Sequence, residues 1–204
     1  MGRRNDHTRE ELREMALQAA EKIIVEQGYA GLSARKVATE IGYTVGSLYL
    51  VFRNLDDLIV QVNARTLDEL YDCLQTTVDE RQPPRERILA MGRAYIDFAT
   101  RHAHRWKLIF AHRLPQQEPT PESFIARVAR MFELVRHHLQ ALAPQRSPEE
   151  LALAAHALWS GVHGVAILGL DQKLQADHGL PVQFTVQEVA DSLIDRYLIG
   201  LLQG

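Results

Sequence analysis

Five residues within the run VATEIGYTVGSLYLVFRN, namely Thr44, Val45, Gly46, Ser47 and Tyr49, offer recognition chemistry rather than bond-making chemistry. Two aliphatic hydroxyls and a phenol both donate and accept hydrogen bonds. A glycine among them lets a base or a sugar-phosphate approach the backbone closely. Near them in sequence stand Ser33, Arg35, Lys36 and Arg53, a hydroxyl and three cations of the kind that meets phosphate oxygens. Groups that make and break bonds are not set out in a working pattern. The chain has no nucleophile motif, no Gly-rich phosphate loop and no paired ligand spacing, so no enzymatic activity and no cofactor are expected.

Seven of the nine histidines fall between His102 and His163. His102, His104 and His112, or the pair His137-His138, raise the question of a metal. Adjacent residues on a helix are expected to point apart, and no HExxH pattern joins any pair, so no metal is expected. Cys73 is the single cysteine. It rules out an intrachain disulfide and suits a reducing cytoplasm, and its mid-helix place suits packing better than redox sensing.

The elements that position these residues read as helices throughout. With 46% hydrophobic and 24% charged residues in 204, the chain can fill one large domain or two small ones. Thr8 to Glu11 is a capping box, and Leu12, Ala16, Ala19, Ala20, Ile23 and Ile24 follow at helical spacing until Gly28. Ser33 caps a short helix over residues 34–40, and Thr44 caps another. Asn54 opens a helix expected to reach about Glu80, and Pro83-Pro84 breaks the pattern. Further helices are expected over 85–102 and 104–112. A loop, RLPQQEPTPE, precedes a helix with Pro121 at its first position. The next begins at Ser147, and the last at Thr185 after the loop DHGLPVQF. The expected fold is all-α, about nine helices, with a helix-turn-helix unit over residues 1–53 and a ligand-binding and dimerisation bundle over residues 54–204.

The short helices answer to one geometry. Two helices crossing through a tight turn need a small residue at their contact, which Ala38 supplies, and a residue tolerant of positive φ, which Gly42 supplies. Val37, Ile41, Leu48 and Val51 are spaced to hold both helices on the one before. Thr44, Val45, Gly46, Ser47 and Tyr49 then face away, on a tip small enough for the roughly 12 Å major groove of DNA.

The stretch GLSARKVATEIGYTVGSLYLVFRNLDDL, with Gly28-Tyr29 before it, resembles the N-terminal DNA-binding unit of TetR-family repressors. The resemblance implies that Thr44, Val45, Gly46, Ser47 and Tyr49 face DNA, and that Ser33 and Arg35 approach phosphates. Leu55 stands where the family often has lysine, and Val51 where it often has histidine or tyrosine. Up to Leu58 there are eight Lys or Arg against nine Asp or Glu, and the whole chain carries a net charge of -3. Arg3, Arg4, Arg35, Lys36 and Arg53 must therefore make a phosphate-binding surface by their placement, and affinity must draw on two subunits.

The segment LALAAHALWSGVHGVAILGL, residues 151–170, carries no Asp, Glu, Lys or Arg and has the length of a bilayer span. His156, Ser160 and His163 lie inside it, and acids rather than bases flank it, which argues for a buried core helix and against a membrane. It is expected to be covered on two sides, by its own bundle and by a second copy. Ala154, Ala155 and Leu158, with Val189, Leu193 and Tyr197 of the last helix, are the candidate homodimer interface. Trp159 with His163-Gly164 resembles the Trp-His-Gly signature of one C-terminal subgroup of the family. Tyr95, Phe98, Trp106, Phe110, Phe124, Met131, Trp159 and His163 are the candidate walls of a site for a lipophilic or aromatic small molecule. The expected function is a ligand-responsive regulator, a repressor, on a palindromic double-stranded DNA operator. A helical hydrolase and a DNA-free interaction module are the alternatives; neither accounts for Ala38, Gly42 and the outward Thr44–Tyr49 face together.

Overall fold

A computed structural model describes residues 7–116, 118–174 and 184–203. Among the described residues every regular element is helical. The nine α-helices are α1 Arg9–Gln27, α2 Ala34–Glu40, α3 Val45–Leu48, α4 Leu55–Thr77, α5 Pro84–Arg101, α6 Ala103–Ala111, α7 Glu122–Leu142, α8 Pro148–Leu170 and α9 Val186–Gln203, with one 3₁₀ turn at Tyr29–Gly31. This is the all-α fold that the sequence leads one to expect.

The caps explain most boundaries. Thr8 accepts from the Glu11 N–H while the Glu11 carboxylate accepts from the Thr8 N–H, and Ser147 with Glu150 does the same at α8. Thr185 and Glu188 repeat the exchange at α9. Each cap satisfies N–H groups that the first helical turn leaves open, and each is worth about 1 kcal/mol. The other ends shift slightly. α4 stops at Thr77 rather than near Glu80, because Asp79 forms a tight turn that accepts from the Arg81 N–H at 3.0 Å. Pro121 stands one residue ahead of α7 rather than inside it. The loop expected at DHGLPVQF lies outside the described residues up to Phe184.

Packing separates two compact units, Met1–Leu67 with His104–Phe124 and Asp68–Ala103 with Ile125–Gly204. In the first, Ala16, Ala20, Ile23 and Ile24 of α1 meet Val37 of α2, Leu48 of α3, Leu58, Ile59 and Val62 of α4, and Leu108 of α6 in one apolar core. Arg65 of α4 donates to the Glu14 carboxylate of α1, and Arg13 donates to Gln61 at 2.9 Å.

In the second unit α9 runs antiparallel to both α5 and α8. Arg85 pairs with Asp195 and Arg93 with Asp191 along the α5–α9 seam. Gly92, Gly161 and Gly169 bring backbones close: a Cβ at each would fall within 3 Å of Ile194, Leu193 and Val186 respectively. α7 joins through Arg127, 3.0 Å from Asp68, and through Arg130, which pairs with the same carboxylate and lies 4.2 Å over the Tyr71 ring.

α8 is the one helix among the described residues long and apolar enough to cross a bilayer. Its Leu151, Ala154, Ala155, Leu158, Val162 and Val165 are buried against the bundle, which is the environment of a core helix. It is not covered all round within one chain, however. Leu153, at 71% exposure, His156, Ser160 and Leu168 form an outward stripe, spaced by three, four and eight residues, which are about one, one and two turns.

Candidate nucleic-acid interface and effector region

The turn between α2 and α3 is closed by two backbone hydrogen bonds. The Tyr43 N–H donates to the Ala38 carbonyl at 2.9 Å, and the Gly42 N–H to the Thr39 carbonyl at 3.1 Å. This pairing requires a left-handed residue between them, and Gly42 has φ of 73°. Ala38 is buried at the contact, while Val37 and Leu48 fill the core below and Ile41 and Val51 pack at its edge.

α3 is four residues long, too short to stand on its own. Thr44 caps it, accepting from the Ser47 N–H at 3.1 Å, and its hydroxyl lies 3.0 Å from the Ser47 hydroxyl. Thr44, Gly46 and Tyr49 are exposed, and Val45 and Ser47 are half-buried. Leu50 beside them is 60% exposed, a large apolar side chain that the sequence reading did not assign to the face. His7, 2.7 Å from the Tyr43 hydroxyl, holds the start of α1 to the turn.

The cations divide by placement. Ser33 caps α2, accepting from the Lys36 N–H, and is half-buried. Arg35, Lys36 and Arg53 are exposed. Lys36 donates to Gln27 at 2.6 Å, and the Arg53 guanidinium stands 3.8 Å from Asp57. Asn54 caps α4, accepting from the Asp57 N–H at 2.8 Å, which fixes the helix that begins at Leu55 behind the exposed face. Lys22 is bound to Glu40 at 2.6 Å, so this pair joins α1 to α2 rather than adding charge to the face.

In the second unit the structure brings together Tyr95, Trp159 and His163. The Tyr95 hydroxyl is 2.9 Å from His163 Nδ1, and the His163 ring stacks on Trp159 with centroids 5.2 Å apart. Phe132 meets Trp159 edge-on at 5.5 Å and stacks on His156 at 4.0 Å. Phe132 and His156 were not among the expected residues; the four-residue step from Phe132 to Arg136 on α7 gives no sign of it, whereas His156 precedes Trp159 and His163 by one and two turns of α8. Burial alone pushes the His163 pKa below its ordinary value, so at neutral pH the ring is neutral and can accept or donate. Phe98 is buried and stacks with His102 at 4.5 Å, and Met131 is half-buried on α7. Trp106 and Phe110, 5.1 Å apart, and Phe124 belong to the first unit, where Trp106 is fully buried and Phe110 is exposed.

Three of the residues expected to face a second copy, and the adjacent histidines, are placed differently. Ala154, Ala155 and Leu158 fill the chain's own core, because α9 and α5 pack on that side of α8, while Val189, Leu193 and Tyr197 are half-buried. The outward face of α8 is built by the stripe from Leu153 to Leu168 instead. His137 and His138 do not point apart: their ring centroids are 5.1 Å apart, and both offer a ligand atom within 4.8 Å of one on Glu80. Side-chain torsions here outweigh the turn between neighbouring Cα–Cβ bonds.

Residues 16–62 match the family described as "Bacterial regulatory proteins, tetR family". Residues 88–197, more than half of the chain, match the "Tetracyclin repressor-like, C-terminal domain". The chain belongs to the TetR family. Two curated proteins of similar sequence are an HTH-type transcriptional regulator of Mycobacterium tuberculosis, 23% identical over 60% of this chain and 53% of that protein, and the HTH-type transcriptional activator FasR of Mycolicibacterium smegmatis, 31% identical over 53% of this chain and 49% of that protein. The chain thus spans about half the length of these curated relatives. Its fold is shared with a Rhodococcus sp. RHA1 protein of unknown function, at a TM-score of 0.78 and 23% identity over 99% of this chain and 100% of the other.

Proposed function

We propose that this chain is a ligand-responsive transcriptional regulator, a repressor, that binds a palindromic DNA operator as a homodimer in the cytoplasm. One observation carries the reading: a four-residue helix, propped by a buried core, leaves Thr44, Gly46 and Tyr49 exposed within the segment that matches the tetR family. Residues 1–53 serve as the DNA-binding domain. Ser33, Arg35, Lys36 and Arg53 meet backbone phosphates, and Thr44, Val45, Gly46, Ser47 and Tyr49 meet the major groove.

Residues 54–204 serve in pairing and sensing. Pairing draws support from the outward stripe of α8, where Gly164 has nothing within 4 Å of an added Cβ and Ser160 is small, so that a second helix can approach closely. Ile199 and Leu202 are exposed apolar residues on α9, the helix that also carries the half-buried Val189, Leu193 and Tyr197. A two-fold pair would repeat the DNA-binding unit at a fixed spacing, as a palindrome requires. Sensing draws support from Tyr95, Trp159 and His163, which combine aromatic faces with two polar atoms and suit a lipophilic or aromatic effector. Trp159, His163 and Gly164 also support placement in the Trp-His-Gly subgroup. Effector binding would favour one bundle arrangement over another and thereby lower operator affinity.

A mobility-shift experiment on genomic fragments tests the reading. The wild-type chain retards specific fragments, and Tyr49→Ala abolishes the shift while circular dichroism and the dimer mass stay the same. A folded, dimeric Tyr49→Ala chain with undiminished DNA affinity overturns it. A reporter gene placed behind the selected fragment distinguishes repression from the activator role that the FasR name carries.

A further inference from the structure

The link between α4 and α5 and the later part of α7 bring three metal-ligating side chains together within the second unit. Glu80, His137 and His138 each offer one ligand atom, and all three atoms lie within 4.8 Å of one another. His138 is 1% exposed, and its Nδ1 is buried with no hydrogen-bond partner. A buried ring nitrogen in that state is a cost to the fold unless something occupies its lone pair or takes its proton. His137 and Glu80 are exposed, so the group opens to solvent on one side.

Glu80 is held in place for such a role. The Arg87 guanidinium donates to Glu80 Oε2 and to the Glu80 backbone carbonyl, and its Nε donates to the Gln82 carbonyl at 2.8 Å. This fastens the link and orients the carboxylate. An outer partner of this kind fixes the direction of a metal-binding carboxylate.

From these contacts we infer that Glu80, His137 and His138 bind a divalent transition ion of the zinc type. Two imidazoles and one carboxylate suit zinc, nickel or copper rather than magnesium or calcium, which favour oxygen. Metal–ligand bonds of about 2.0–2.2 Å would draw the three atoms closer than they stand, and the exposed His137 and Glu80 can rotate to do so. Water completes the fourth position. The charge of Arg87 opposes the ion, so the site is weaker than a cysteine-rich structural zinc site. Bound metal would tie the α4–α5 link to α7.

Zinc chloride titrated into the full chain, followed by calorimetry and by thermal melting, tests this. One zinc binds per chain and the melting temperature rises. Glu80→Gln and His137→Ala, both at exposed positions, each weaken binding by about tenfold or more. His104→Ala, on α6, leaves it unchanged. Two results overturn the site: no saturable zinc binding to the wild-type chain, or binding of the same affinity and stoichiometry in both variants. DNA binding is not part of the readout, so the outcome is independent of the regulator reading.

Discussion

The Tyr43 N–H donates to the Ala38 carbonyl across the turn at 2.9 Å, and this bond sets the angle at which α3 leaves α2. It forms only because Gly42, between the two, has φ of 73°. An added Cβ at Gly42 meets nothing within 4 Å, so Gly42→Ala introduces backbone strain without a clash. The expected cost is about 1–2 kcal/mol of stability, read as a lower urea midpoint with an unchanged slope. An unchanged midpoint would mean that the turn is not under this constraint.

Gly46→Ala separates recognition from folding. Gly46 is helical and exposed, and its added Cβ would meet only Thr44 Oγ1, at an ordinary 3.6 Å. Alanine is up to about 1 kcal/mol better in a helix, so stability is expected to hold or rise. The methyl group stands on the face proposed to enter the groove. Operator affinity is expected to fall by on the order of tenfold, about 1.4 kcal/mol, in a fluorescence-anisotropy titration. A more stable protein with full affinity would move the contact face away from Gly46.

The sequence made the helices legible where a side chain closes a helix end. Thr8, Ser33, Thr44, Asn54, Ser147 and Thr185 all cap as their types imply. The turn was legible for the same reason, since few residues other than glycine tolerate the φ of Gly42. α8 was legible in length and not in orientation. Its apolar residues run all round, so periodicity gives no preferred face, and only packing against α5 and α9 assigns Ala154, Ala155 and Leu158 to the inside. The approach of Glu80 to His137 and His138 joins residues more than fifty positions apart, which no local pattern records.

Gly92 on α5 and Ile194 on α9 define how closely those helices lie. A Cβ on Gly92 would fall 2.2 Å from Ile194 Cδ1, and Ile194 is 1% exposed. Overpacking at about 1–3 kcal/mol outweighs the helix gain of up to about 1 kcal/mol, so Gly92→Ala is expected to destabilise. Ile194→Val removes the offending methyl and alone costs about 0.5–1.5 kcal/mol. The double variant is expected to be more stable than the sum of the two predicts, with a coupling of about 0.5–3 kcal/mol measured by chemical denaturation. Strict additivity would show that the two side chains do not compete for this space.

His163 gives stability a pH dependence of defined sign. Burial holds its pKa in the folded chain below the ordinary 6.5, beside Tyr95 and Trp159. Above that ordinary value both states are neutral and the full stability is present. As pH falls below it, the unfolded chain takes up a proton that the folded chain refuses, and stability declines until the folded pKa is passed. His112 shifts the same way through burial, with Asp56 3.5 Å away in opposition. Glu150 and Glu188, held low by the backbone N–H groups of Ser147 and Thr185, lose their contribution only below the ordinary carboxylate value of 4.5. Melting temperatures taken from neutral pH to about 5.5, within the histidine range, should therefore fall. In His163→Gln, which keeps a polar partner for the Tyr95 hydroxyl, the slope should flatten. A slope identical to that of the wild-type chain would show that His163 titrates in the folded protein as it does in water.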